Sequence, residues 1–362
     1  MIIERKPLSF ISIILCMTHL AFAQNPIQIH TLYGDATITE PVLIELLESQ
    51  AINRLHNINQ YGIMKFVEPE ENYTRYQHSV AVLYVLRRYG ASLEEQVMGL
   101  LHDVSHTAFS HVADFLFDSV QNKYSYQDTI FEWYVEHTDL KKILATYNLS
   151  WITAIEARDQ FKMLKDDLPK LCADRLEYNL YGGYLEGLLT KDETTWILDS
   201  LQYRDGTWIF TDYQAAQLFA DVVLTLSKNI WCADWNCYIY SETARLLKHA
   251  LNTNLITEHD LIFSDDATVW QILTDAATSD TIIQHLIDRI LHYKSGFTLG
   301  TVDTHDYVTQ GKFRWIDPLI VTKTGPQLLS IINKEFDITV QEQKKRFKEP
   351  HYILYSRDYN VL

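Results

Sequence analysis

Cysteine is scarce in this sequence, with four cysteines among 362 residues. Cys16 lies in the apolar N-terminal stretch, and the others are Cys172, Cys232 and Cys237. Three cysteines without short regular spacing form neither a disulfide framework nor a cysteine-type zinc site. Two alternatives stay open for the last pair: a single bridge between Cys232 and Cys237, or two buried thiols.

Positive charge is also in short supply. The sequence has 31 Lys and Arg against 47 Asp and Glu, which gives a formal net charge of −16. This balance argues against an extended surface for nucleic-acid phosphates. A small anionic, phosphorylated substrate remains compatible with it, because a bound divalent cation and a few arginines reverse the field locally.

A long apolar run is missing as well. The stretch Leu8–Leu20 follows two basic residues and precedes Ala21-Phe-Ala23, a pattern typical of a signal-peptide cleavage site. The stretch is too short and too often interrupted by polar residues for a confident membrane span. We therefore predict a cleavable signal peptide over 1–23 and a secreted or periplasmic protein without a stable membrane span. An uncleaved anchor or a buried helix is the alternative.

The sequence contains neither an internal repeat nor a low-complexity linker. Its length fits one large domain or a domain with an appendage. We expect a core over 24–190 and, packed on it, a mostly helical C-terminal extension with small β pieces over 191–362.

Apolar periodicity predicts a mainly α fold with small β-hairpins and a short C-terminal β element. Hairpins are expected over 27–38 and 202–210, the second with a tight turn at Asp205-Gly206. Further β-like pieces are expected over 313–321 and 351–355. Gly182-Gly183 is expected to end a helix that begins near Pro169. The expected helices are 42–49, 54–62, 76–89, one beginning after Ser92, 128–146, 169–181, 213–229, 238–251 and 280–291.

The stretch Gly99–Val112 holds three histidines and an aspartate within an otherwise apolar, helix-like run. If the helix is continuous, His102, Asp103, His106 and Asp114 span an arc of about 120°. Ligands and acid/base groups then share one side of the helix. A core helix with a few hydrogen-bonded histidines is the alternative, and it explains a His-Asp pair with two further histidines less well.

Two residues elsewhere complete a candidate metal site. A hard divalent cation is bound by imidazole and carboxylate ligands with water positions left open. His78 lies at the start of a predicted helix, and Asp174 follows an apolar helical approach. The order His … His-Asp … Asp draws ligands from three helices, which fits a metal site in the core of a helical bundle. Mn, Fe, Ni or Mg suits such ligands, and Zn suits them less.

These residues resemble the signature of the HD-domain metal-dependent phosphohydrolases. The similarity is greatest to the branch containing the deoxynucleoside triphosphate triphosphohydrolases, over about residues 28–190. It rests on Arg54-Leu-His-Asn-Ile-Asn-Gln-Tyr-Gly62, Tyr73-Thr-Arg-Tyr-Gln-His-Ser79 and Gly99-Leu-Leu-His-Asp-Val-Ser-His-Thr-Ala-Phe-Ser-His111. The resemblance implies an HD-domain (phosphodiesterase-like) helical bundle that hydrolyses a phosphate ester or nucleotide. Relatives are often oligomeric, so a homo-oligomer is one expected assembly.

The resemblance also implies roles for individual residues. The implied metal ligands are His78, His102, Asp103 and Asp174. The implied catalytic groups are His106, His111 and Asp114, with the aspartate tuning a histidine. The implied substrate contacts are Arg75, Gln60, Arg175 and Tyr178.

The sequence departs from the family pattern at two places. The segment Tyr124–Asp128 lacks a histidine that relatives carry after the HD helix, and Gly182 stands where they have a later aspartate. Phosphohydrolase chemistry is the leading hypothesis. A catalytically weak or inactive nucleotide-binding or regulatory protein of the same fold is the alternative.

Overall fold

The computed structural model describes residues 25–69, 72–119, 124–154, 157 and 159–356. The predicted signal peptide over 1–23 lies outside these residues and stays a prediction. Every helix in the described part of the chain is too short or too polar to cross a lipid bilayer.

The described residues form a helical fold, as predicted. Two helices near the site begin with good capping residues. Thr74 and Gln77 form a reciprocal capping box, and Ser92 accepts a hydrogen bond from the amide of Glu95. In chain order the helices are α1 (Pro41–Glu48), α2 (Gln50–Arg54), α3 (Arg75–Arg88), α4 (Leu93–Leu101), α5 (Val112–Leu116), α6 (Tyr126–Glu136), α7 (Leu140–Thr146), α8 (Ala173–Leu185), α9 (Lys191–Asp199), α10 (Tyr213–Leu226), α11 (Asp234–Asn252), α12 (Glu258–Phe263), α13 (Asp266–Ala276), α14 (Thr281–Leu291), α15 (Leu329–Ile332) and α16 (Lys334–Arg346).

Nine strands form three sheets within the described residues, more than the predicted hairpins and short C-terminal element. The first sheet is an antiparallel hairpin, the second has the order β3-β4-β7-β8 with β4 and β7 parallel, and the third has the order β5-β9-β6. Asp205 and Gly206 both have positive φ, as the predicted tight turn requires. The strands are β1 (Ile27–Thr31), β2 (Gly34–Ile38), β3 (Leu201–Arg204), β4 (Thr207–Phe210), β5 (Phe297–Leu299), β6 (Tyr307–Thr309), β7 (Leu319–Thr322), β8 (Gly325–Leu328) and β9 (His351–Tyr355).

Two hydrophobic clusters hold the molecule together. One packs α1, α3, α4, α8 and α10 against each other. The other packs Tyr61, Phe109 and α5 against α11, α13 and α14. Each cluster contains residues from both sides of residue 190, and the candidate site lies at the ends of helices from the first cluster.

The helix is not continuous from His102 to Asp114, so the condition for the shared arc is not met. α4 ends at Leu101, and His102 turns its Nδ1 back to the Gly99 carbonyl at 2.7 Å. The amide of Ala108 then donates to the Leu261 carbonyl at 2.8 Å. The chain regains a helix only at α5, after two residues of positive φ at 109 and 110. Tertiary hydrogen bonds thus lead the chain out of the helix that its apolar pattern predicts.

The prediction that Gly182-Gly183 ends a helix is also wrong, because α8 continues to Leu185. The two glycines instead allow close packing. A Cβ atom at Gly182 would lie 3.0 Å from the Tyr61 hydroxyl, and one at Gly183 would lie 2.8 Å from a methyl group of Val222. The space at Gly182 is therefore filled by an aromatic side chain.

Other helix boundaries differ where short turns interrupt the apolar pattern. The helix predicted over 54–62 is not formed, because α2 ends at Arg54 and is followed by a short 3₁₀ turn over Leu55–Asn57 and a bridge between Asn59 and Thr74. The helix predicted over 128–146 divides into α6 and α7. The helices α9, α12, α13 and α16 have no counterpart in the prediction. The three cysteines of the described chain are buried free thiols, so the Cys232–Cys237 bridge is not formed in the structure.

Candidate metal centre

Three helix ends bring the predicted ligands together. His78 lies in the first turn of α3, His102 and Asp103 follow the end of α4, and Asp174 lies in the first turn of α8. The Nε2 atoms of His78 and His102 are 3.2 Å apart. His78 Nε2 lies 3.5 Å from Asp103 Oδ2 and 3.4 Å from Asp174 Oδ1. His102 Nε2 lies 3.7 Å from Asp174 Oδ1.

Hydrogen bonds at Nδ1 determine which ring nitrogen of His78 and His102 faces this cluster. His78 Nδ1 is hydrogen-bonded to the Glu177 carboxylate, and His102 Nδ1 to the Gly99 carbonyl. Both acceptors require an N–H at Nδ1, so each ring, when neutral, turns the lone pair of its Nε2 atom toward the cluster. The two Nε2 atoms lie 3.2 Å apart beside two carboxylates, an arrangement that favours a proton or a metal cation among them. Nitrogen and oxygen donors of this kind fit a divalent metal ion.

Glu177 is a further residue of this centre that the sequence analysis missed. It is fully buried and accepts hydrogen bonds from the hydroxyl groups of Tyr33 and Tyr73 as well as from His78. Burial alone would lower the pKa of His78, but the charges of Glu177, Asp174 and Asp103 outweigh burial and raise it to about 10. The cluster therefore attracts positive charge strongly. The i, i+3 spacing of Asp174 and Glu177 on one helix was the available sequence signal.

Arg75 is buried behind the cluster, with 1% of its surface exposed. Its guanidinium pairs with Asp103 and donates from Nε to Ser110 Oγ at 2.8 Å. Burial would raise the pKa of Asp103, but His102, Arg75 and His106 hold it well below its ordinary value. Predicted as a substrate contact, Arg75 lines the cavity described below and also orients a predicted ligand.

His106 and His111 lie side by side, with ring centroids 4.9 Å apart. His106 Nε2 is 3.5 Å from Asp103 Oδ1, and burial together with the charge of Arg75 lowers the pKa of His106 to about 3. The His111 side chain is 33% exposed, and its Nδ1 lies 3.0 Å from Asp114 Oδ2.

Asp114 has three hydrogen-bond partners: His111 and two further donors. Its Oδ1 accepts hydrogen bonds from the Tyr126 amide at 2.7 Å and from Ser119 Oγ at 3.0 Å. Burial would raise the pKa of Asp114, but these donors and His111 lower it below its ordinary value. The predicted pairing of Asp114 with a histidine is therefore present, and the histidine is His111.

A cavity of about 260 Å³ opens onto the cluster. Its wall includes Gln60, Arg175 and Tyr178, which places all predicted substrate contacts around one space. The Arg175 guanidinium also donates to the Lys170 carbonyl at 2.8 Å. A larger cavity of about 720 Å³ is bordered by α5, α11 and β6, and none of the predicted site residues lines it.

Three cations in the cavity wall were not predicted: Lys165, Lys312 and Arg314. Lys165 is 44% exposed and lies 3.2 Å from Asp128, which belongs to the segment that lacks the family's histidine. Lys312 and Arg314 come from a loop far along the sequence, and the Arg314 amide donates to Ser227 Oγ at 3.0 Å. No local motif marks that loop, so the sequence offered no signal for it.

Comparison with known proteins adds independent findings. The family profile described as "HD domain" matches residues 75–176. The uncharacterized protein YdhJ of Bacillus subtilis is 32% identical over 290 residues, covering 80% of this chain and 86% of that protein. The "metal-dependent phosphohydrolase cns2" of Cordyceps militaris is 31% identical over 270 residues, covering 73% of this chain and 77% of that protein.

Two further comparisons concern a shorter match and a solved structure. The mouse deoxynucleoside triphosphate triphosphohydrolase SAMHD1 is 28% identical over 130 residues, 30% of this chain and 20% of that protein. A solved structure of a phosphohydrolase from Bacteroides thetaiotaomicron superposes with a TM-score of 0.68 at 16% identity. The superposition covers 92% of this chain and the whole of that one. At that identity the likeness shows the fold alone.

Proposed function

This chain belongs to the HD-domain family of metal-dependent phosphohydrolases, and from that premise we propose how its residues divide the reaction. In our proposal His78, His102, Asp103 and Asp174 hold the divalent cation. The observation that carries this proposal is the approach of the Nε2 atoms of His78 and His102 to 3.2 Å beside two carboxylates. Mn, Fe, Ni or Mg suits these donors, and Zn suits them less. When bound, such a cation polarises a phosphoryl oxygen and lowers the pKa of a coordinated water.

We assign proton donation to His111. It is the more exposed histidine of the pair that faces the cavity, and Asp114 holds its Nδ1, which leaves Nε2 to protonate the oxygen of the leaving group. His106 is neutral at working pH because its pKa is about 3, so it orients the phosphate through hydrogen bonding only.

The cations of the cavity wall are assigned to the phosphate oxygens. Arg175, Lys165, Lys312 and Arg314 surround the space in front of the cluster. Guanidinium and ammonium groups form strong charge-assisted hydrogen bonds with phosphate. The proposed substrate is therefore a small phosphorylated molecule, and the match to SAMHD1 makes a nucleotide one candidate. We propose no specific nucleotide, because Gly182 and the Tyr61 ring replace the aspartate expected there.

The test is Asp103→Ala, with Asp205→Ala as the control because Asp205 is 87% exposed in a remote turn. Metal content is measured by elemental analysis, and hydrolysis by a panel of phosphomonoesters, phosphodiesters and nucleotides with added Mn²⁺. We expect Asp103→Ala to lose the metal and at least about a hundredfold in activity while remaining folded. Asp205→Ala should behave as the parent. Undiminished hydrolysis by metal-free parent protein would contradict the proposal.

A second candidate function is a nucleotide-binding protein with little turnover. The segment Tyr124–Asp128 favours it, because an Asp128–Lys165 ion pair lies beside the cavity and the family's histidine is absent. This candidate predicts saturable nucleotide binding without product across the same panel. Measurable turnover with any member of the panel excludes it.

A further inference from the structure

A second cavity, of about 340 Å³, lies behind the wall of the catalytic cavity. Four residues line both spaces: Tyr61, Trp231, Asn236 and Tyr240. The second cavity adds the rings of Trp235 and Tyr293, so five aromatic side chains surround it. We call it the aromatic cavity. Nothing in the proposed reaction uses it.

The rings of the aromatic cavity are tilted against each other. Tyr61 and Trp231 meet at 56° with centroids 5.1 Å apart, and Trp235 and Tyr293 meet at 51° with centroids 5.6 Å apart. A planar ligand stacks best between parallel rings. Tilted rings around one space instead suit a rounded ligand, such as an ammonium group carrying alkyl substituents.

The charges around the aromatic cavity also favour a cationic ligand. Glu68 and Lys294 form an ion pair at the rim, and Tyr293 donates to Glu68 at 2.9 Å. The carboxylate of Glu186 also lines the cavity, and it has neither a hydrogen bond nor an ion pair within the described residues. Burial raises the pKa of Glu186 above its ordinary value. The cavity therefore carries one unpaired carboxylate and a net charge of −1.

We propose that the aromatic cavity binds a small organic cation, with its ammonium group paired to Glu186 and its alkyl groups against the aromatic rings. Aromatic rings attract such cations electrostatically, and the carboxylate of Glu186 supplies the counter-charge. The ammonium group belongs either to a free amine or to the head of a phosphorylated amino alcohol that reaches both cavities. The shared wall makes the second source geometrically accessible.

The test measures binding rather than turnover, so it does not depend on the proposed function. Equilibrium dialysis or calorimetry compares choline with its neutral isostere 3,3-dimethylbutan-1-ol on the full chain. We expect choline to bind at least about tenfold more tightly, because only the cation gains from the rings and from Glu186. Equal binding of the two compounds, or no binding of choline, would overturn the proposal.

Two variants locate the site. Glu186→Gln should weaken choline binding at least about fivefold, and Trp235→Ala should weaken it about 3- to 30-fold. Trp235 lines the aromatic cavity but not the catalytic cavity. Glu335→Gln, on the exposed face of α16, is the matched control and should change nothing. Choline binding that is unaltered by both Glu186→Gln and Trp235→Ala would overturn the assignment, and since Glu186 is exposed its variant is expected to fold.

Phosphocholine separates the two sources of the ammonium group. Tighter binding of phosphocholine than of choline, with competition by inorganic phosphate, identifies the head of a substrate that spans both cavities. Equal binding without such competition identifies a free amine. Hydrolysis of other phosphate esters without any choline binding would overturn this proposal and leave the phosphohydrolase function intact.

Discussion

Glu177 holds the Nδ1 side of the His78 ring at the candidate metal centre. It is fully buried, and it holds His78 Nδ1 together with the hydroxyl groups of Tyr33 and Tyr73. Partners of this kind orient a ligating imidazole and raise its basicity. We expect Glu177→Gln to lower metal affinity about 10- to 100-fold, because a neutral amide is a weaker acceptor for the imidazole N–H.

Metal titration with a competing chelator checks the prediction for Glu177→Gln, and thermal unfolding shows whether the variant is folded. Glu48→Gln, an exposed substitution on α1, is the control and should bind metal as the parent does. Unchanged metal affinity in folded Glu177→Gln would show that His78 needs no such partner.

The sequence predicted which residues meet at the candidate metal centre better than it predicted the wall of the cavity. The dipeptide His102-Asp103 and the blocks around His78 and Asp174 mark the centre, because each ligand stands within a recognisable local pattern. Arg314 and Lys312 could not be found this way, since only the folded chain brings their loop to the cavity. Local patterns indicate candidate ligands, but a cavity wall assembled from distant segments leaves no local pattern.

At the scale of elements, the loop between α4 and α5 depends on one close backbone approach. Gly62 has a φ of 58°, and a Cβ atom there would lie 2.5 Å from the Phe109 carbonyl oxygen. Gly90, at the end of α3, has a φ of 77° with nothing within 4 Å of the same position. Gly62→Ala and Gly90→Ala both incur the cost of a left-handed conformation. Only Gly62→Ala also displaces a neighbouring loop, the one that contains Phe109.

We therefore expect Gly90→Ala to lower the free energy of unfolding by about 1 kcal/mol, and Gly62→Ala to lower it by at least about 2–3 kcal/mol. Gly62→Ala should also weaken metal binding, because the displaced loop follows His102 and Asp103. Urea denaturation and metal titration measure the two effects. Equal destabilisation by both substitutions would mean that the loop containing Phe109 moves aside without a cost in the free energy of unfolding.

The same loop is tied to α13 through Asp266. The buried carboxylate accepts the amides of Asn59 and Phe109, each at 2.7 Å. Burial raises its pKa to about 7, although those two amides act against the rise. Between the unfolded value of about 3.9 and 7, the folded protein binds more protons than the unfolded chain, so stability rises as the pH falls through this window.

Asp266→Asn removes this titration. The difference in free energy of unfolding between parent and variant should shift in favour of the parent by up to about 1.4 kcal/mol per pH unit as the pH falls from 7 to 5. Urea denaturation at pH 5, 6, 7 and 8 measures it, and Asp205→Asn serves as the control. A difference that is flat, or that moves toward the variant on acidification, would contradict the elevated pKa.

Apolar periodicity in the sequence predicts the long helices, but it fails where tertiary contacts determine where a helix ends. The helices α3, α11 and α14 were expected within a few residues of their observed bounds, because their apolar faces repeat regularly. The end of α4 was missed, since the hydrogen bond from Ala108 to Leu261 joins residues more than 150 positions apart. Apolar patterns report the face that a helix buries, and they carry no information on such distant bonds.

At the scale of the whole molecule, hydrogen bonds join the two sides of residue 190 beside the candidate metal centre. The Tyr240 hydroxyl donates to the Tyr61 carbonyl at 3.0 Å, and the Arg54 guanidinium donates to the carbonyls of Ser264 and His106. Together with the hydrogen bonds of Asp266, these bonds anchor two loops beside the site, 55–62 and 102–111, to segments beyond residue 190. The predicted core over 24–190 lacks all of these C-terminal partners.

We therefore expect a fragment of residues 25–190 neither to unfold cooperatively nor to bind metal, whereas residues 25–356 should do both. Removing the C-terminal part exposes Phe109 and the apolar side chains of α5, which pack against α11 and α13 in the full chain. It also leaves the amides of Asn59 and Phe109 without their acceptor Asp266. Circular dichroism with urea and elemental analysis check the two properties. Mixing the fragment with residues 191–356 is the control, because restored metal binding would show that the missing contacts are the cause. A fragment that unfolds cooperatively and holds metal alone would establish 25–190 as an independent domain.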